Sequence, residues 1–147
     1  VYRENEVHEP GNRVEVFPLG GFLACPLVCY DLRFPELFRI GMQKGANLFI
    51  VIACWPKARI DHWVSLLKAR AIENQAYVVG VNRAGSDPET EFGGRSLVID
   101  PMGETLADAG RDESVAQAEL DLNPLDAWRE KFPVLKHARP DFLPEIR

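Results

Sequence analysis

The chain has 147 residues, a formal net charge of −5 and a hydrophobic content of 46%. This length allows one domain with its own core, and the acidic balance argues against nucleic acid or an anionic membrane surface as a partner. No apolar stretch reaches the roughly 20 residues of a membrane span, and the three cysteines show neither zinc-ligand spacing nor a disulfide framework. A reducing, cytoplasmic compartment is therefore expected.

Apolar runs between turn residues predict strands, and apolar residues at helical spacing predict helices. Strand–helix–strand–helix–strand in the first half of the chain indicates an α/β fold with crossover connections. Two of these strands are apolar without alternation, which predicts that both of their faces are covered. The predicted elements are strands 14–17 and 22–28, helix 35–44, strand 47–53, helix 60–74, strand 76–81, a loop over 83–94, a hairpin of 96–100 and 104–107, strand 114–120 and helix 124–131.

The strand over 22–28 ends abruptly at Cys29, and Pro35 opens the helix that follows. A side chain at such a bend stands clear of the sheet, close to the backbone N–H groups at a helix N-terminus. These groups favour a thiolate and an oxyanion, so the bend resembles a nucleophile elbow with sulfur in place of a hydroxyl. Cys25 and Cys54 lie in or after apolar runs, and we expect both to be small buried hydrophobes.

The later elements also carry end signals. Gly45 is expected to cap the first helix, and Asn123 the last. The proline-containing tail over 132–147 is expected to be extended. The helix over 60–74 is expected to face the sheet with Trp63, Leu66, Leu67, Ala71 and Ile72.

The stretch Cys29-Tyr30-Asp31-Leu32-Arg33-Phe34-Pro35-Glu36 resembles the nucleophile motif of the nitrilase superfamily, the carbon–nitrogen hydrolases. Further motifs of that family follow in order over nearly the whole chain. Among its branches the chain is most similar to omega-amidases, which hydrolyse the terminal amide of 2-oxo-dicarboxylic acid monoamides. The further motifs are Cys54-Trp55-Pro56, His62-Trp63, Ala69-Arg70-Ala71-Ile72-Glu73-Asn74-Gln75, Asn82, Gly94-Arg95-Ser96 and Asp100-Pro101-Met102-Gly103.

The resemblance implies a four-layer α-β-β-α sandwich, of which residues 1–147 would be the C-terminal part of a single domain. It implies a homodimer or higher homo-oligomer, because these sandwiches pair through their helices. The implied activity is hydrolysis of an amide through a cysteine thioester, without a metal or organic cofactor. An N-carbamoyl amino acid hydrolase or another aliphatic amidase is the alternative to an omega-amidase. A non-catalytic binding or assembly module is the alternative of another class.

The site of the family is a Glu–Lys–Cys triad with a supporting second glutamate. Cys29 matches the nucleophile, whereas the triad glutamate and lysine would precede Val1, so we expect a longer parent enzyme. Glu4 best matches the supporting glutamate, and Glu6 is the alternative register. The backbone N–H of Tyr30 is placed to stabilise an oxyanion, a role that requires no particular side chain.

Two residues near Cys29 have alternative roles. Arg33 either binds a substrate carboxylate as a fork-shaped donor or pairs with an acid such as Glu36 or Glu73. Trp55 follows a strand end, where sites gather, and either walls the substrate pocket or packs in the core. Both alternatives stay open for each residue.

A cysteine and a histidine in one chain also suggest a papain-like pair. His62 opens a helix, however, and the base of the family is a carboxylate. We therefore expect His62 to make a structural hydrogen bond that caps or tethers its helix. Arg70 and Glu73 are expected to form a buried or half-buried ionic network in the same helix.

Overall fold

The computed structural model describes residues 6, 8–139 and 141. The described residues form a six-stranded sheet in which the strands lie in chain order. The strands are β1 Phe17–Leu19, β2 Phe22–Val28, β3 Leu48–Ala53, β4 Tyr77–Asn82, β5 Leu97–Ile99 and β6 Thr105–Asp108. The helices are α1 Pro35–Gln43, α2 Ile60–Asn74 and α3 Leu122–Lys131, with short 3₁₀ helices at Cys29–Arg33, Lys57–Arg59 and Val134–His137.

The central strands β2, β3 and β4 run parallel, and α1 and α2 are the crossovers between them. The outer pairs β1–β2, β4–β5 and β5–β6 are antiparallel. Val28 lies opposite Ile52, which lies opposite Val81, so the three parallel strands end almost level. The predicted α/β class is confirmed, and the carboxyl ends of its parallel strands form one edge where a site is expected.

The main core lies between this sheet and the helices α1 and α2. Phe38 from α1 and Trp63 and Leu67 from α2 are fully buried in it. Gly80 on β4 allows this close packing, because a Cβ there would lie 2.4 Å from the Leu67 side chain and 2.8 Å from that of Trp63. The helices thus fix the strand ends from one side of the sheet.

The opposite sheet face is covered only in part. Leu125 of α3 packs there in a second buried cluster that includes Leu48 and Tyr77. Towards the carboxyl ends, the row Val28, Ile52 and Val81 is 57%, 52% and 47% exposed. The expectation that β3 and β4 are covered on both faces is therefore wrong at their carboxyl ends, because α3 covers this face of the sheet only near their amino ends.

Most predicted elements are confirmed. Strand β2 and helix α2 have the predicted bounds, and α1, β3, β4 and the strands of the β5–β6 hairpin differ from the prediction by at most one residue at each end. Gly45 is confirmed as a cap: its φ is +95°, and the N–H of Ala46 donates to the carbonyl of Gly41 at 3.0 Å. Within the described residues no helix is long and apolar enough to cross a membrane.

Three predicted segments are wrong. The first strand lies at Phe17–Leu19 rather than 14–17, because the turn uses Gly20 and Gly21, both with positive φ, and pairs Leu19 with Phe22. The segment 114–120 forms no strand, and its residues 116–120 instead line a groove with side chains of β4 and β5. The tail is not wholly extended, since it contains the 3₁₀ helix Val134–His137.

Two details of the helices also differ from the expectation. The N-cap of α3 is Asp121, whose Oδ1 accepts from the N–H of Asn123 at 2.9 Å, so Asn123 lies inside the helix. Ile72 of α2 is 53% exposed instead of buried. It lies against the β5–β6 turn, where a Cβ on Gly103 would come within 2.6 Å of its side chain.

Candidate active site

Cys29 lies at the sharp bend between β2 and the 3₁₀ helix Cys29–Arg33, hereafter the Cys29 turn. Val28 is still extended, whereas Cys29 has φ +46°, in the left-handed region. A residue with a Cβ is destabilised there by about 1–2 kcal/mol, and such strain persists only where the surroundings enforce it. The predicted strand–turn–helix bend is confirmed, and the strain falls on the cysteine itself.

Hydrogen bonds hold the Cys29 turn on both sides. The Asp31 carboxylate accepts from the backbone N–H of Val28 at 2.9 Å, and the Asp31 carbonyl accepts from the N–H of Phe34 at 3.0 Å. Leu32 anchors the turn in the core with a fully buried side chain. Its carbonyl accepts from Nη2 of Arg70 at 2.8 Å. The strained conformation is thus fixed by contacts on each side of Cys29.

The three thiols have different surroundings. Cys25 is fully buried, and burial raises the pKa of its thiol to about 11, so it stays protonated and unreactive. Cys29 is half-buried against the edge of the core. Cys54 is exposed, which corrects the expectation that it is buried, because it follows the last residue of β3, beyond the covered part of the sheet.

Tyr30 follows Cys29 in the turn. Its side chain is 65% exposed, and its ring lies edge-on to that of Phe34 with centroids 5.4 Å apart. The ring therefore lies at the surface of the described structure. The role expected for Tyr30 concerns its backbone N–H, and that role as an oxyanion donor stays a prediction.

Arg33 lies at the end of the same turn and stacks on Trp55, with its Cζ 4.7 Å from the ring centroid. Arg33 forms no ion pair among the described residues, and Glu73, one of its expected partners, pairs with Arg70 instead. The pairing alternative for Arg33 thus has no support in the described structure. Carboxylate binding by Arg33 stays a prediction, and the stacked guanidinium is suitably placed for it.

Trp55 is itself a fixed part of the core. It is 3% exposed, lies 5.6 Å from the Trp63 ring, and donates its indole N–H to the carbonyl of Arg59 at 2.8 Å. This burial agrees with the core-packing alternative. The face of its ring still contacts Arg33, and a role for Trp55 beside the substrate, exerted through that contact, stays a prediction.

Asn82, at the end of β4, organises the same edge of the sheet. It is 6% exposed, accepts from the Trp55 N–H at 2.6 Å, and donates to the carbonyl of Gly94 at 2.7 Å. The sequence motif gave Asn82 no role. A buried amide at the end of an apolar strand was the available signal, since such a group needs partners from neighbouring loops.

Two predictions concern helix α2: the ionic network of Arg70 and Glu73 is confirmed, and the hydrogen bond of His62 is not found among the described residues. Arg70 is 5% exposed, and its Nη1 donates to Glu73 Oε1 at 3.0 Å, which confirms the buried ionic network. His62 is exposed and makes no hydrogen bond within the described part of the chain, so its expected tethering role is wrong. The neighbouring Trp63 is the tether, because its indole N–H donates to the carbonyl of Arg95 at 2.8 Å.

Glu4, the expected supporting glutamate, lies outside the described residues. The alternative register falls on Glu6, which is described and exposed. A strained cysteine between a parallel strand and a helix has the backbone arrangement of a nucleophile elbow in an α/β protein. The chain belongs to the carbon–nitrogen hydrolase family, whose sequence model matches residues 1–130.

Curated relatives refine this assignment. The chain is 48% identical over 131 residues to a 2-oxoglutaramate amidase of Bacillus subtilis (strain 168), covering 89% of this chain and 51% of that protein. It is 44% identical over 133 residues to the omega-amidase YafV of Escherichia coli (strain K12), again covering 89% and 51%. The chain thus spans about half the length of these curated relatives.

The fold agrees with the same assignment. The crystal structure of Saccharomyces cerevisiae Nit3, a member of branch 10 of the nitrilase superfamily, matches with a TM-score of 0.83 at 32% identity. The match covers 89% of this chain and 49% of that one. The resemblance to the nitrilase superfamily and its omega-amidase branch is therefore confirmed.

Proposed function

We propose that the intact protein containing this chain is an omega-amidase, which hydrolyses the amide of a 2-oxo acid monoamide through a thioester on Cys29. The observation that carries the proposal is the left-handed conformation of Cys29 at the carboxyl end of a parallel strand. Strain of this kind at a half-buried bend after a parallel strand is typical of a nucleophile rather than of a packing residue. The naming of relatives at 48% and 44% identity supports the substrate class.

The chemistry follows from the contacts around the Cys29 turn. The Cys29 sulfur attacks the amide carbonyl carbon, and the backbone N–H of Tyr30 donates to the oxyanion that forms. The carbon–nitrogen bond then breaks, and the thiol proton leaves with the departing ammonia by way of a general base. Water cleaves the thioester and regenerates the thiol. The resemblance assigns the base to a glutamate and a second oxyanion donor to a lysine, with Glu4 orienting them.

Arg33 supplies the selectivity in this proposal. A 2-oxo acid monoamide has a carboxylate at the end opposite its amide. The guanidinium of Arg33 is held over the buried ring of Trp55, so binding a carboxylate immobilises few additional bonds. Arg33 would hold the carboxylate while the amide lies at Cys29 of the same turn.

We also propose that the chain is the C-terminal part of a single α-β-β-α domain. The exposed apolar row Val28, Ile52 and Val81 supports this, because a second sheet packed there would bury it. The match to about half of each relative supports it as well. A cytoplasmic location and a homo-oligomer complete the proposal, and the location is supported by the three described cysteines, which form no disulfide with one another.

The test is ammonia release from 2-oxoglutaramate by the intact protein. Cys29→Ala should abolish turnover, whereas the matched variant Cys54→Ala, which removes the exposed thiol that follows β3, should retain it. Activity retained in Cys29→Ala would refute the proposal. Absence of turnover with every amide in the wild-type protein would instead favour the non-catalytic assembly module.

A substrate panel separates the enzymatic alternatives. We expect faster turnover of 2-oxo acid monoamides than of N-carbamoyl amino acids or neutral aliphatic amides. Arg33→Met should raise KM at least about tenfold for the acid substrates and leave a neutral aliphatic amide nearly unchanged, because a charge-assisted fork is worth about 1.5–3 kcal/mol. Preference for an N-carbamoyl amino acid would assign the protein to the runner-up activity.

A further inference from the structure

Arg70 is a buried cation whose donors are shared between two partners. Its guanidinium lies 5.2 Å from the Phe38 ring and donates through Nη1 to Glu73 Oε1 at 3.0 Å. A guanidinium that is only 5% exposed needs acceptors for its remaining donors, since each unpaired one would be left without water. Glu73 satisfies one side of the group only.

The second partner is a backbone atom of the Cys29 turn. Nε and Nη2 of Arg70 both donate to the carbonyl oxygen of Leu32, at 3.2 and 2.8 Å. Two donors on one oxygen fix its direction as well as its distance, and the planar fork of arginine is the side chain that provides this geometry. The bond ties α2 to the turn across 38 positions of sequence.

The turn needs such a tie because Cys29 is strained. Relaxation of Cys29 out of the left-handed region would move its sulfur and the following N–H group together. The Asp31 carboxylate restrains the strand side of the turn through the N–H of Val28, and Arg70 restrains the helix side through Leu32. Together they leave the backbone between them little freedom to relax.

We propose that Arg70 is a positioning residue: by anchoring the Leu32 carbonyl it holds the Cys29 sulfur and the Tyr30 N–H in reactive orientation. This inference rests on the proposed function of Cys29 as a nucleophile. Arg70 touches neither the substrate nor the thiol in this role. A displacement of about 1 Å at the reacting centre can lower a rate about 100-fold, so a missing anchor should affect kcat more than KM.

The experiment compares Arg70→Lys with Glu73→Gln in the intact protein. Arg70→Lys keeps the positive charge and loses the fork on Leu32. Glu73→Gln is the matched control, because it weakens the ion pair and leaves both bonds to Leu32 in place. The readouts are kcat and KM for 2-oxoglutaramate, the thermal midpoint, and the rate at which iodoacetamide alkylates Cys29 as a function of pH.

Alkylation of Cys29 is read from the fragment ions of the tryptic peptide 14–33, which separate Cys29 from the buried Cys25 in the same peptide and exclude the exposed Cys54. We expect Arg70→Lys to lower kcat about 10- to 100-fold with KM within about threefold, and to change the pH profile of Cys29 alkylation. Glu73→Gln should keep kcat and alkylation within about threefold while it lowers the thermal midpoint.

Two results would overturn the inference. One is an Arg70→Lys variant with unchanged kcat and alkylation. The other is a Glu73→Gln variant that loses as much kcat as Arg70→Lys, because the loss of the ion pair would then be the cause. The Glu73→Gln variant can be measured even if Arg70→Lys does not fold, since Glu73 is only partly buried. If the wild-type protein hydrolyses no amide, the proposed function fails, while the alkylation profile still tests the positioning role.

Discussion

The strain at Cys29 predicts an unusual response to glycine. With φ at +46°, the Cβ of any ordinary residue destabilises the folded state by about 1–2 kcal/mol, and glycine removes that term. Glycine also gives the unfolded chain more freedom, which lowers stability by about 0.4–1 kcal/mol relative to alanine. The net expectation is that Cys29→Gly is more stable than Cys29→Ala by about 0.8 kcal/mol, within a range of about 0–1.6 kcal/mol.

The comparison with alanine isolates the backbone effect, because both variants lack the sulfur and its contacts. Cys54 is the matched control: it is a second cysteine outside the core, and it is not among the described residues with positive φ. At Cys54 glycine only increases the conformational freedom of the unfolded chain, so Cys54→Gly should be less stable than Cys54→Ala by about 0.4–1 kcal/mol. The two positions are thus expected to respond with opposite sign.

The assay is urea denaturation of the four variants in the intact protein, with midpoints compared at equal slope. Both Cys29 variants should be inactive, so a stabilised Cys29→Gly would show that the site sacrifices stability for a reactive conformation. If glycine is less stable than alanine at both positions, the left-handed conformation of Cys29 and the reasoning built on it are refuted.

Two further predictions concern pH and the last helix. Burial raises the pKa of the Cys25 thiol from 9.0 to about 11. Between these two values the folded state retains a proton that the unfolded state has lost. The free energy of unfolding should therefore be highest below about pH 9 and should decline by about 3 kcal/mol as the pH rises through 11. Urea midpoints from pH 8 to 11 should fall less steeply in Cys25→Ala; an equal slope would contradict the assignment. Burial also raises the pKa of Tyr77, which leaves some decline in both proteins. Asp121→Ala should lower stability by about 1 kcal/mol and Asn123→Ala by clearly less, as thermal unfolding would show; the reverse order would restore Asn123 as the cap.

The central elements of the fold were predictable because their signals are local. The apolar run of β2 and the helical spacing of α2 gave the bounds found in the structure, and Gly45 marked the end of α1. Propensity and periodicity act over a few residues, so one strand or helix contains its own information. The failure at 114–120 has a non-local cause: the segment has a strand-like pattern, but it pairs with neither edge strand, β1 nor β6, and its residues 116–120 line a groove with β4 and β5 instead.

The candidate site divides in the same way. The sequence by itself placed Cys29 at a bend after an apolar strand and assigned the family through motifs in order. Only the tertiary structure revealed that Cys29 is strained, that Trp55 is the platform for Arg33, and that Arg70 is bonded to the Leu32 carbonyl. These contacts join residues that are far apart along the chain, and their partners are backbone atoms or ring faces. Backbone partners cannot be recognised from the sequence, because every residue has a carbonyl. Only the packing of the chain decides which carbonyl a buried cation reaches.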